Sequence, residues 1–143
     1  MDFDALNTAM ANETTDIVKL WMRWMILIFL LSLLFVARYK PARWAFIAII
    51  ATAICGGGVW ALSQSVHLLG IAHLFVWAPL AAYIWISTLS PRARSIARNW
   101  TAINKSSLYH KAYMFWAVLI FLTIIISLVF DVRDIFLVAT GAK

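Results

Sequence analysis

Acidic side chains are scarce in this 143-residue chain and sit only near its ends: Asp2, Asp4, Glu13 and Asp16 at one, Asp131 and Asp134 at the other. Cysteine is scarcer. Cys55 stands alone, which excludes an internal disulfide and thiol exchange by a cysteine pair. No HExxH helix is present to hold a catalytic zinc, and Gly56, Gly57 and Gly58 lack the lysine and spacing of a phosphate loop. No candidate span holds the carboxylate on which small proton-coupled multidrug transporters depend, or the aspartate of a membrane protease. An enzyme is not expected.

Apolar residues dominate what remains. The chain is 64% hydrophobic and only 13% charged, with a mean hydropathy of +0.89. A soluble domain of this size exposes too much of its chain to hide such a surface, so lipid is the expected solvent. Four apolar runs approach the ~20 residues that cross a ~30 Å hydrocarbon layer as helix. They cover about 18–37, 44–62, 68–89 and 112–130. Polar, acidic residues precede the first run and "RYKPAR" follows it, which predicts a retained helix and not a cleaved signal. The expected fold is an all-α integral membrane protein, one four-helix membrane domain. Span two, with Ala45, Ala48, Thr52 and Gly56, reads as the packing helix. Span four, rich in Ile, Leu and Phe, reads as lipid-facing.

Charge predicts direction. Arg38, Lys40 and Arg43 lie between spans one and two, and Arg92, Arg94, Arg98, Lys105 and Lys111 between three and four. No acid lies among them. The positive-inside rule then puts both basic loops in the cytoplasm and both termini outside, in a bacterial inner membrane. The long loop, 90–111, has Ile96, Trp100 and Ile103 at spacings that suit a short interfacial helix. Its basic residues are candidates for anionic lipid headgroups. Nucleic acid is not an expected partner, because the aromatics lie in apolar runs and not among the basic residues.

The hairpin "ICGGGVWALSQSVHLLGIAH", Ile54 to His73, carries the one polar feature of interest. With the turn near Ser65, Gly56 to Gly58 and His73 fall at one depth on adjoining helices. Trp77 shares the face of His73 one turn on, and Pro79 invites a kink below. His67 lies ~600° of helical rotation from His73, so the two do not chelate one ion. The plainer expectation is a neutral histidine beside a close helix contact. The alternative is a haem or quinone held near His73, as an ionisable residue at membrane depth suggests. At the same end, Lys19, Arg23, Asp131, Arg133 and Asp134 form a charge cluster that His67 can join, most simply as solvated local pairs.

No metal site and no obligatory cofactor are expected. The favoured function is association: an accessory or structural subunit of a membrane complex, or a homo-oligomer. Two alternatives stand beside it, a transporter or channel with its pathway between protomers, and a redox subunit with haem or quinone near His73.

Overall fold

The computed structural model describes residues 3–13, 15–64, 67–93 and 108–141. The described residues are helical throughout, and four of the helices are long and apolar enough to cross a membrane. A short helix α1, Phe3–Glu13, comes first. Helix α2, Asp16–Leu30, starts at Thr15, whose hydroxyl accepts the Val18 N–H at 3.4 Å. It tightens into a 3₁₀ turn over Leu31–Leu34.

Helix α3 runs from Lys40 to Ser63, with Pro41 in the first turn, where a missing N–H costs no helical bond. Gln64 closes it in the left-handed region at φ 52°; its backbone N–H and its side-chain amide both donate to the Trp60 carbonyl. A 3₁₀ turn, His67–Leu69, leads into α4, Gly70–Ile84, which continues as a π turn over Trp85–Leu89. Helix α5 spans Leu108–Ala139.

Cross-helix contacts fix the register. Helix α4 is central: Trp77 bonds Thr52 of α3, while His73 and Thr88 bond Asp131 and Tyr113 of α5. Helix α2 lies antiparallel to α5, with Trp21 beside Ser127 and Trp116 beside Ile28. Phe29 of α2 stacks on Trp77 of α4, ring centroids 5.0 Å apart. The core follows this line of contact through Phe29, Trp77, Ile84, Trp116, Ile120 and Ile124. Leu27, Ile54, Phe75, Ile86, Phe115 and Val129 point outward from the bundle.

Two features differ from the sequence expectation. Helix α5 has 32 residues, roughly 48 Å at ~1.5 Å each, and carries Asp131, Arg133 and Asp134 within it and not beyond its end. It is also no outlying lipid-facing helix. Tyr113, Trp116, Ala117, Ile120, Thr123 and Ser127 form a buried stripe at helical spacing, and Leu122, Ile126 and Val129 cover the opposite side. Small residues on that stripe let α2 and α4 approach. The expected packing role of α3 is visible in Ala42, Ala45 and Ala48, all buried, with Cys55 exposed.

Candidate functional site

At the end where α4 begins, His73 meets Asp131. The imidazole Nδ1 lies 2.9 Å from Asp131 Oδ2, with the two side chains 24% and 19% exposed. A carboxylate only accepts, so Nδ1 carries the hydrogen and the tautomer is set. Nε2 has no hydrogen-bond partner among the described residues. The Trp77 ring stacks on the imidazole at 4.2 Å and 18°. Trp77 is held in turn: its indole N–H donates to Thr52 Oγ1 at 2.7 Å, and that hydroxyl donates to the Ala48 carbonyl at 2.8 Å.

Gly70 makes the pair possible. A Cβ placed there would lie 2.9 Å from both Cβ and Oδ1 of Asp131, closer than side chains tolerate. The carboxylate also sits against the first residue of α4, where the helix dipole favours a negative charge. Two members of the glycine triplet face no such contact. A Cβ on Gly56 would touch only Leu69, at an ordinary 3.8 Å, and one on Gly58 would meet nothing within 4 Å. Gly57 is buried. A close approach is formed at Gly70, and the hydrogen-bond partner of His73 comes from α5.

Lys19 pairs with Asp16 at 3.8 Å, an exposed i,i+3 contact of little energetic weight. Arg23 and Arg133 are exposed, and Asp134 is half-buried. The backbone of His67 opens the turn before α4, and its side chain lies outside the described part. Arg92 and Lys111 are exposed; Arg94, Arg98, Lys105 and the expected interfacial helix lie outside the described residues. Among the described residues no group of three or more His, Cys, Asp or Glu is placed to hold a metal ion.

The opposite end holds a cluster that composition did not suggest. Tyr39 and Tyr113 stack face to face, 3.7 Å apart and parallel within 1°. Tyr39 is hydrogen-bonded to His110 Nδ1 at 3.0 Å, and Tyr113 to Thr88 at 3.0 Å. Phe35 packs against Tyr109, Tyr113 and Trp116, and the Arg38 guanidinium lies over the Tyr109 ring. Burial pushes the Tyr39 phenol above its ordinary range, and nearby Tyr109 adds to this while Arg38 opposes it.

Several carbonyls around the end of α2 are met by side chains here, while those of Ser32 and Phe35 accept backbone N–H groups. Trp116 donates to Ile28, Tyr109 to Leu34, and Arg43 to Val36 and Ala37. In a low-dielectric setting each such group left unpaired is costly, which explains why an aromatic and basic knot closes this loop.

No protein-family model, curated protein or solved structure matches this chain.

Proposed function

We propose that this chain is a non-catalytic integral membrane protein acting by association, as an accessory subunit of a membrane complex or as a homo-oligomer. The observation that carries this reading is how the polar groups at helix depth are used. Trp21, Trp24, Trp77 and Trp116 all donate to groups within the bundle, and the space between the helices is filled by large side chains. Such an interior favours neither a reaction site nor a passage through one protomer; a transport pathway would have to run between protomers. The exterior offers more. Between α4 and α5 a groove of about 330 Å³ is walled by Trp85 and Phe121 and floored by Ala78, Ala81 and Ala82. Alanines of this kind let a foreign helix approach closely.

The orientation we propose has both termini outside a bacterial inner membrane. Arg38, Lys40, Arg43, Arg92 and Lys111 flank one end of the bundle, whereas Asp16, Asp131 and Asp134 belong to the other. Reporter fusions at both termini test this, and activity in the cytoplasm from either would contradict it. The association reading is tested by native mass spectrometry after mild extraction. A second copy or a stoichiometric partner is expected, and Ala82→Trp should weaken the complex. A monomer without companions would overturn it.

One observation favours a second reading, a haem or quinone near His73. Asp131 orients the imidazole through Nδ1, which leaves Nε2 without a partner among the described residues, the arrangement in which a carboxylate raises the basicity of a ligating histidine. The absorption spectrum and a solvent extract of the purified protein decide it. Neither a Soret band nor an extractable quinone would leave His73 with its structural role.

A further inference from the structure

A second groove lies between α3 and α4, about 410 Å³ in volume and lined by Trp44, Ala48, Val76, Pro79, Leu80 and Tyr83. Its shape follows from its residues. Ala48 is small and buried, so α3 leaves a hollow one turn beyond Trp44. Pro79 presents a ring without an N–H on the facing wall. Apart from two polar atoms, the lining is hydrocarbon and aromatic.

Those two atoms are telling. Four tryptophans in the bundle spend their indole N–H on an internal acceptor. The Trp44 indole and the Tyr83 hydroxyl, both on this groove, make no hydrogen bond among the described residues. Trp44 is 54% exposed. Aromatic side chains with an unspent donor suit the level at which lipid esters sit.

The groove also runs toward the basic end. Lys40, Trp44 and Ala48 follow one another at i, i+4 and i+8, and so share one face of α3. On the other wall, the chain that carries Tyr83 reaches Arg92 just beyond the π turn. Not every cation here is free. Arg43 is committed to the carbonyls of Val36 and Ala37, and Arg38 to the Tyr109 ring. Lys40 and Arg92 are exposed and pair with no acid among the described residues. The acids of the described bundle helices, Asp16, Asp131 and Asp134, belong to its other end.

We propose that this groove binds one anionic phospholipid, an acyl chain lying along Ala48, Val76 and Pro79 and the phosphate held by Lys40 and Arg92. The Trp44 indole and the Tyr83 hydroxyl donate to its ester oxygens. An uncharged length of hydrocarbon would fill the hollow, but only a negative headgroup answers the exposed cations carried by the two chain segments that wall it, Lys40 and Arg92. The inference rests on the membrane reading above and adds a particular ligand to it.

The test is native mass spectrometry of the full chain, released from mixed micelles containing phosphatidylglycerol and phosphatidylcholine of identical acyl chains. One retained phosphatidylglycerol per chain is expected, preferred over phosphatidylcholine. Lys40→Gln and Arg92→Gln should each lower that preference about fivefold, the loss expected for one basic residue at an anionic surface. Trp44→Ala, on an exposed wall of the groove, should weaken retention of both lipids. Equal retention of the two lipids by the parent protein would overturn the proposal. So would a preference that survives loss of both cations, or a second copy of the chain found seated against Trp44 by cross-linking. A chain that fails to partition into membranes at all would instead refute the underlying membrane reading.

Discussion

Gly70 and Asp131 are opposed so closely that the absent Cβ of one is the space taken by the carboxyl group of the other. Sixty-odd residues separate them in the chain, yet their contact decides where His73 finds its acceptor. A glycine thus acts here through what faces it and not through its own backbone freedom.

Two substitutions of one kind should therefore move stability in opposite directions. Gly70→Ala must displace Asp131 and is expected to cost about 1–3 kcal/mol. Gly58→Ala meets open space within a helix and should stabilise by about 0.5–1 kcal/mol. Denaturant titration in micelles measures both. Equal effects would show that the Gly70 contact is not tight.

Trp77 and Thr52 form the next link toward the interior. In a double-mutant cycle of Trp77→Phe and Thr52→Val, the 2.7 Å bond should appear as a coupling of about 0.6–1.7 kcal/mol, the range for hydrogen bonds between membrane helices. Additive effects would mean that stacking with His73 and Phe29 alone positions the indole.

Ser32 offers a simpler experiment. Its hydroxyl is fully buried and has no hydrogen-bond partner among the described residues, a condition that costs about 1–3 kcal/mol relative to a paired group. Ser32→Ala is expected to leave stability unchanged or raise it by up to about 1 kcal/mol, an effect within reach of thermal unfolding. A marked loss would reveal an acceptor for that hydroxyl.

Tyr39 predicts a pH dependence. Its folded-state pKa lies above the ordinary 10.0, so the native state holds the phenolic proton more firmly than the unfolded chain does. The stability this confers is complete below pH 10.0 and disappears as pH rises through the elevated value. The stability gap between the parent protein and Tyr39→Phe should accordingly narrow on the alkaline side and hold steady near neutrality. A gap that widened with pH would reverse the sign.

The apolar runs were legible because a lipid solvent demands about 20 consecutive residues that local composition reveals directly. The end of α5 was not. A charged residue after an apolar run ordinarily marks the interface, and nothing near Asp131 announces a histidine on another helix. Trp21 and Trp24 look like interfacial anchors by position, yet their N–H groups reach Ser127 and Thr123. Three glycines in a row are conspicuous in a sequence, whereas nothing local to Gly70 signals the carboxylate that faces it. Local pattern carries burial and span; the identity of a cross-helix partner depends on register, which no short window contains. The Tyr39–Tyr113 stack escaped for the same reason.

Among the described residues, every side-chain hydrogen bond that α2 makes with another helix joins it to α5: Trp21 and Met25 to Ser127, Trp24 to Thr123, and the Ile28 carbonyl to Trp116. Chain synthesis runs in the other direction. The indole donors of α2 meet their acceptors on α5, and α3 and α4 lie between the two along the chain. Helices α3 and α4, joined by a short turn and by the Trp77–Thr52 bond, can pair as soon as both are made. The expected order of assembly therefore begins with α3 and α4 and finishes by bringing α2 against α5.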